Sequence, residues 1–307
     1  MVKGTPGRRR RCPVRKDRSR GTGRCQLDPQ RWAPAVGSFP RPDSPSWANG
    51  SVVIIRKSHR EIEAMREAGR VVAVALEAMR SSAGIGTSLK ELDDIAAEVL
   101  AAHAARSAFL GYHPHFAPTP FPGVICASVN DVVVHGPPTE QRLRDGDVVS
   151  IDLGVVLNGW VGDAAITFIV GRPRSQDRLL VQYTKDALAA GIAAARPGNR
   201  LGDVADAVGT IGRRYGYGIP TGWGGHGVGR QMHEDPPVPN EGVPGRGLRL
   251  EPGLVIAIEP MFMAGGLDTF EVDADGWTVR TSDGSRAAHW EHTIAVTADG
   301  PLILTEP

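Results

Sequence analysis

The residues of this 307-residue sequence best suited to chemistry are four acids set in apolar, strand-like runs. Asp152 lies in Val148-Val149-Ser150-Ile151-Asp152-Leu153, and Asp163 lies in Trp160-Val161-Gly162-Asp163. Between them, Asn158-Gly159 is a two-residue hairpin turn signal. That turn sets position 157 against 160 and position 154 against 163, so Asp152 shares a face with Gly154 and lies diagonal to Asp163. Diagonal neighbours are about 7–8 Å apart. Two carboxylates leaning together over that distance can share a small ion cluster, with Gly154 leaving room beside Asp163. Ile151, Leu153 and Val155 then face the other way. The bland alternative is a pair of solvent-exposed acids. Both runs are strongly apolar, however, and unpaired carboxylates in such a setting are costly, so the pattern calls for a cation.

Glu259 ends a second apolar run, Leu254-Val255-Ile256-Ala257-Ile258, and Glu291 sits in His289-Trp290-Glu291-His292-Thr293-Ile294. Either alone reads equally well as a satisfied core acid. If all four acids converge, their charges repel one another unless a metal is present. Three histidines join them: His135 at the end of Val132-Val133-Val134, His226 in Gly224-Gly225-His226-Gly227, and His233 seven residues later. A lone histidine is usually a hydrogen-bonded core or loop residue. Three beside four strand acids favour ligand or base roles. Gly-His-Gly also resembles a phosphate loop, but no Lys and no strong helix follow it.

The elements that must position these residues are legible in part. Ser58 and Glu61 have capping-box spacing, and Ile62, Met65, Ala68, Val72, Leu76 and Met79 follow on one helical face. Ser88 and Glu91 cap a second helix carrying Leu89, Leu92 and Ile95. A further pair is expected over 176–195 and from Leu201, with Val204 and Val208 on one face. Sliding the chain by 112 residues lays Gly86-Thr87-Ser88-Leu89 over Gly198-Asn199-Arg200-Leu201, as a diverged duplication of a helix–helix–strand unit would. Strands are expected over 124–129, 148–156, 160–170, 254–259, 277–281 and 287–296, with a C-terminal hairpin in the half bearing Glu259 and Glu291 that mirrors the first. Helix pairs with antiparallel strands between them indicate an α+β fold with the helices on one face of a sheet.

Composition narrows the setting. No run reaches the roughly 18 apolar residues of a membrane span, and the basic N-terminus lacks the apolar core of a secretory signal. Three cysteines make no disulfide scaffold and suit a reducing cytoplasm. The net charge of +1 hides an asymmetry: residues 1–41 carry twelve Lys/Arg against two Asp, leaving an acidic remainder. Residues 1–50 show no apolar period and include Arg8-Arg9-Arg10-Arg11, so they read as a basic, disordered extension to a domain over 51–307. The extension is either a solvated tail, an untranslated upstream stretch, or a segment that contacts RNA electrostatically. Cys12 and Cys25 are too isolated for a zinc site.

The order His135, Asp152, Asp163, His226, His233, Glu259, Glu291 resembles the methionine aminopeptidases of type I. The matching stretches are Asn-Asp-Val-Val-Val-His-Gly, Ile-Asp-Leu, Gly-Asp-Ala, Gly-His-Gly-Val-Gly, Ile-Glu-Pro-Met and Trp-Glu-His-Thr, and the similarity covers residues 54–305. The short stretch from His233 to Glu259 lacks the long insertion of the type II form. The resemblance implies the pita-bread fold, two pseudo-symmetric helix–helix–strand halves around an antiparallel sheet, in keeping with the internal repeat. It implies two divalent metal ions per chain. Asp163 and Glu291 would bridge them, with Asp152 on one metal and His226 and Glu259 on the other. One imidazole among four acids makes a hard, oxygen-rich site open to Co, Mn, Fe or Zn.

The same resemblance implies removal of the N-terminal methionine from peptides and nascent chains with a small second residue, by metal-activated water. Glu259 would shuttle the proton, His233 would stabilise the oxyanion, and His135 would contact the peptide near the scissile bond. Tyr112, Phe121, Cys126, Met232 and Trp277 would line the methionine pocket, although core packing explains apolar residues there equally well. One departure stands out. In the family an aromatic-Pro pair closely follows Tyr-His, whereas here 114–120 intervenes before Phe121-Pro122, so that Phe121 or Phe116 takes the aromatic place. The expected protein is a cytoplasmic monomer that touches no membrane, with ribosome contact assigned to the basic tail. Two alternatives remain. A prolidase or aminopeptidase P would share the fold but carries a large folded N-terminal domain, and a non-catalytic relative would have lost metal ligands.

Overall fold

Glu61 starts the first helix, α1 (His59–Ser82), by accepting hydrogen bonds from the backbone N and the Oγ of Ser58, each at 2.8 Å. In the computed structural model, which describes residues 54–115 and 117–306, the six apolar positions expected on this helix are all buried. The basic extension and the alternative aromatic, Phe116, lie outside the described residues. A full capping box opens α2 (Leu89–Ala102): Ser88 Oγ accepts from Glu91 N at 3.1 Å, and Ser88 N donates to the Glu91 carboxylate at 2.7 Å. The chain continues through β1 (Arg106–Ser107), β2 (Cys126–Val129), β3 (Val132–Val134), β4 (Val148–Leu157) and β5 (Trp160–Ile169). The second helix pair is α3 (Ser175–Ala194) and α4 (Leu201–Arg214). The remaining strands are β6 (Gly224–Gly227), β7 (Glu234–Pro239), β8 (Val255–Ile258), β9 (Met261–Met263), β10 (Phe270–Val272), β11 (Val279–Thr281), β12 (Ala287–His289), β13 (Glu291–Thr297) and β14 (Gly300–Ile303).

The main sheet runs β1-β4-β5-β13-β8-β6-β7, with β2 also on β4 and β14 also on β13, and its pairs are antiparallel. Its centre is the meeting of β5 with β13. On one side lie β4 and β5 with α1 and α2, whose buried Val72, Leu76, Leu92 and Leu100 pack with Ile151, Leu153 and Val155. On the other lie β8 and β13 with α3 and α4, where Leu188, Val204 and Val208 pack with Ile256, Ile258, Ile294 and Val296. This is the pita-bread α+β architecture with two like halves, and the helix-facing side chains are those that the hairpin arithmetic assigned to that side.

Close backbone approach fixes α1 on the sheet. A Cβ on Gly162 would lie 2.7 Å from the backbone N of Gly69, and a Cβ on Gly69 would lie 2.1 Å from the carbonyl O of Leu304. Only glycine fits at such contacts, and Gly162 thereby holds its neighbour Asp163 at a set depth. The first hairpin has the expected register, Leu157 opposite Trp160 and Gly154 opposite Asp163.

Three expectations differ. The run 287–296 is broken at Trp290 into β12, which pairs with β9, and β13, which enters the main sheet. The acid-bearing strands of the second half, β8 and β13, pair antiparallel but are not a hairpin, because β9 to β12 lie between them in sequence; the C-terminal hairpin is β13–β14. The Gly-His-Gly run is a strand, β6. Its glycines are there for proximity: a Cβ on Gly225 would sit 2.1 Å from the carbonyl O of Ala257, and one on Gly227 would sit 2.2 Å from that of Asp235. Among the described residues no helix is long and apolar enough to cross a membrane.

Candidate metal centre

Strand register brings the four acids to one place. Asp152 pairs with Ala165, and Glu291 pairs with the same Ala165 from the other side. The two acids therefore stand in one row across β4, β5 and β13, with a buried alanine between them. Asp163 is two residues from Ala165 on the same face. His292 pairs with Ile258, so Glu259 continues the row beyond Glu291. Paired residues share a face and residues two apart share it too; no other register would bring these four together.

His226 approaches from β6. Its Nδ1 lies 2.9 Å from the carbonyl O of Gly227. A carbonyl only accepts, so Nδ1 carries a proton and Nε2 is the nitrogen that faces the acids. Nε2 is 3.6 Å from Asp163 Oδ2 and 3.8 Å from Glu259 Oε1. One ligand atom each from Asp163, His226 and Glu291 lies within 4.8 Å of the others. Thr293 fastens the centre of the sheet, its Oγ1 accepting from Asp163 N at 3.1 Å and donating to Asp163 O at 2.8 Å.

The electrostatics are those of an arrangement built for a cation. Asp152, Asp163 and Glu291 are all buried, and each has a carboxylate oxygen (Asp152 Oδ1, Asp163 Oδ1, Glu291 Oε1) with no hydrogen-bond partner. Burial first, then the charges of Asp163 and Glu259, pushes the Asp152 carboxyl well above the usual range; burial and the charges of Asp163, Glu259 and Asp152 do the same for Glu291. Burial alone would lower His226, but the Asp163 hydrogen bond and the charges of Glu259 and Asp163 outweigh it and raise its pKa. Buried polar atoms in native proteins are nearly always satisfied. Three orphaned carboxylate oxygens in one buried row, beside an imidazole nitrogen, fit a divalent metal centre. Four acids and one imidazole make the donor set hard.

His135 and His233 flank the acids. His233 lies with its ring 4.4 Å from that of His226, and its Nδ1 is 3.3 Å from the Tyr112 hydroxyl. Burial and the neighbouring His226 and His135 lower its pKa to about 3. His135 ends β3 with a φ of 60°, the left-handed region that residues with a Cβ rarely occupy. Its ring packs edge-on against Trp223 at 5.1 Å, and burial and nearby His289 bring its pKa to about 4. Both histidines are therefore neutral at pH 7.

An apolar cluster adjoins the acids. Phe121, Cys126 and Trp277 form one buried cluster with Phe109 and Ala117, and Met232 packs on it. Tyr112 stands at the rim, its ring 6.4 Å from Trp277 and 5.7 Å from His233. All five expected pocket residues are thus together, and Cys126 is the register partner of Asp152. Burial, followed by the charges of Asp152, Asp163 and Glu291, pushes the Cys126 thiol up, so it presents a neutral wall. The position beside Gly154, expected to leave room for the ion cluster, is taken up by the apolar cluster instead. A Cβ there would first meet Met232 Sδ and Phe109 Cε1 at 2.9 Å and Ala108 Cβ at 3.0 Å.

Some neighbours of the site carried no signal in the sequence. Phe109 and Ala108 belong to the apolar cluster but sit in no motif. Glu234 follows His233, and its carboxylate accepts from Lys57 Nζ at 2.8 Å, Arg230 N at 2.7 Å and Gln231 N at 3.1 Å. That clamp ties the turn carrying Met232 and His233 to the segment preceding α1. His289 is buried with its Nε2 3.4 Å from Glu259 Oε2. Only long-range contact reveals either residue.

Comparison with known proteins agrees with this geometry. The model of metallopeptidase family M24 matches residues 63–298. Among curated relatives, the chain is similar to methionine aminopeptidase 1 of Mycobacterium tuberculosis, 55% identical over 263 residues, which are 83% of this chain and 96% of the relative. It is also similar to the methionine aminopeptidase of Aquifex aeolicus, 44% identical over 252 residues, 81% of this chain and 97% of the relative. Among solved structures, a methionine aminopeptidase from Thermotoga maritima superposes with a TM-score of 0.79 at 40% identity, covering 83% of this chain and 100% of that one. With the acids, the imidazole and the apolar cluster arranged as above, the chain belongs to the M24 metallopeptidases, and within them to the methionine aminopeptidases.

Proposed function

We propose that the chain removes the N-terminal methionine from peptides and nascent chains whose second residue is small. The observation that carries this reading is the row of buried acids with orphaned oxygens beside an apolar cluster whose Cys126 is the register partner of Asp152. Asp152, Asp163, His226, Glu259 and Glu291 would hold two divalent ions, drawn from Co, Mn, Fe or Zn, with Asp163 and Glu291 shared between them. Divalent ions in such a site lower the pKa of water and polarise a carbonyl.

The chain's own residues do the rest. Phe121, Cys126, Met232 and Trp277 receive the unbranched thioether side chain, for which aromatic and sulfur surfaces are favourable partners. Tyr112 closes the rim. The carboxylate cluster places the free α-amine, which confines cleavage to N-termini. Glu259, the least buried of the four acids, accepts the proton of the attacking water and returns it to the leaving amine. His233 donates to the oxyanion. Burial keeps the Tyr112 hydroxyl protonated, with its pKa raised, so it can donate to His233 Nδ1 and leave the proton on Nε2 for the substrate. His135, neutral and held by Trp223, supports the peptide beside the scissile bond.

The enzyme is proposed to act as a monomer in the cytoplasm. Its twelve Lys/Arg over residues 1–41 are proposed to touch ribosomal RNA. The test of the catalytic reading uses chelated protein, resupplied in turn with each divalent metal. Release of Met from Met-Ala-Ser, without cleavage of Gly-Pro, supports it. Gly-Pro cleavage would point to a prolidase, and no activity with any metal would remove the enzymatic reading.

A further inference from the structure

His289 is a buried polar side chain that the mechanism above leaves unused. It is 2% exposed, and its Nε2 has no hydrogen-bond partner among the described residues. That nitrogen faces Glu259 Oε2 at 3.4 Å, while the other carboxylate oxygen, Oε1, faces His226. The two oxygens of Glu259 therefore have separate neighbours. Donor and acceptor stand about half an ångström beyond the usual N–H···O length, and such contacts commonly tighten only in the loaded site.

The backbone around His289 is held on both sides. His289 N donates to Thr167 Oγ1 at 3.0 Å, and Thr167 Oγ1 also contacts the His289 carbonyl and lies 2.7 Å from Ser150 Oγ. His289 pairs with Met261 in the β9–β12 ladder, and Trp290 N donates to the carbonyl of Pro260, the residue after Glu259. The Glu259 carbonyl accepts from Asn240 Nδ2 at 2.9 Å. Imidazole and carboxylate thus stand on two short segments bonded to each other, with little freedom to drift apart.

We infer that His289 is a positioning residue for Glu259: its Nε2–H donates to Oε2 and turns Oε1 toward the centre. The inference rests on Glu259 being a metal ligand and proton acceptor. Hydrogen bonds to a ligating carboxylate fix its orientation, and losing one typically costs about 10–100-fold in metal affinity or activity.

The test compares His289→Leu, which removes the donor, with His289→Gln, which keeps an N–H at similar reach. Mn²⁺ affinity is measured calorimetrically on chelated protein, and kcat and KM on Met-Ala-Ser at saturating metal. The Leu variant should bind Mn²⁺ about 10–100-fold more weakly and lose kcat with KM nearly unchanged, while the Gln variant stays within a few-fold of wild type. Equal impairment of both variants would mean that His289 only fills space, and an unimpaired Leu variant would overturn the inference outright. If the Leu variant does not fold, wild-type protein with ¹⁵N-labelled histidine decides. Zn²⁺ loading should give one slowly exchanging Nε2–H signal that is absent from the Gln variant, and its failure to appear overturns the inference. Wild-type protein that binds no divalent metal would instead remove the metal centre itself, a separate failure read in the same calorimetric series.

Discussion

Replacing Lys57 by methionine tests how the turn bearing His233 is held. The Lys57 side chain is 3% exposed and that of Glu234 is 12% exposed, with Nζ and Oε2 2.8 Å apart. Removing one partner of a buried pair strands the other charge, at a cost of about 3–5 kcal/mol. Glu234 keeps two backbone donors, Arg230 N and Gln231 N, and some contact with water, which places the loss at the lower end, about 3 kcal/mol. For a folded domain of this size each kcal/mol moves Tm by about 2–4 °C, so Lys57→Met should melt roughly 6–12 °C lower by calorimetry. The double variant Lys57→Met/Glu234→Gln leaves no buried charge and should recover part of that loss, since neighbouring substitutions are not additive. Because the turn also carries Met232 and His233, kcat on Met-Ala-Ser should fall in the single variant at permissive temperature. A Lys57→Met protein that melts within a degree of wild type with full kcat would show that the clamp holds nothing, and equal destabilisation of the single and double variants would refute the stranded-charge argument.

Other outcomes follow from the same geometry. His233→Ala should retain metal while losing about 2.7–4 kcal/mol of transition-state stabilisation, a fall in kcat of two to three orders of magnitude; Asp163→Ala should instead lose metal, as measured by plasma mass spectrometry. Asp152 and Glu291 have carboxyls raised above the ordinary range in the metal-free fold, so that fold holds protons which the unfolded chain releases. The contribution of these two groups to the stability of metal-free protein should therefore be fully present below the ordinary carboxylate pKa and be lost as pH rises toward the raised values. Metal uptake should abolish that slope and expel protons, measurable as a buffer-dependent binding enthalpy; proton-neutral uptake would contradict it. Deleting residues 1–50 should leave kcat/KM on short peptides unchanged, because every pocket and centre residue lies beyond them. If those residues touch RNA, full-length protein should pellet with ribosomes at low salt more than the truncated form does, and equal pelleting would remove that contact.

The first half of the site was readable because its parts are local. Asn158-Gly159 sets the register between Asp152 and Asp163 without help from the rest of the chain, and Ser58, Glu61, Ser88 and Glu91 mark two helix starts. Glu259 and Glu291 were visible as acids ending or opening apolar runs, but their convergence was not. It depends on β13 crossing between β5 and β8, a register between strands far apart in sequence. Strand β6 was hidden because glycine has poor strand propensity; tertiary contact at Ala257 and Asp235 demands it there. The broken strand at Trp290 had no local breaker to announce it. The pocket membership of Tyr112, Phe121, Cys126, Met232 and Trp277 came from resemblance, since apolar residues in a core look alike until their neighbours are known. Lys57–Glu234 and His289–Glu259 are pairs without a motif, legible only in three dimensions.

The central claim is that Asp152, Asp163, His226, Glu259 and Glu291 form one metal centre. Anomalous diffraction from crystals of Mn²⁺-loaded protein, collected above and below the manganese edge, tests it without reference to activity. The account predicts two manganese peaks enclosed by those five side chains, with Asp163 and Glu291 between them. Manganese found elsewhere, or an ordered site with no anomalous peak, would contradict it.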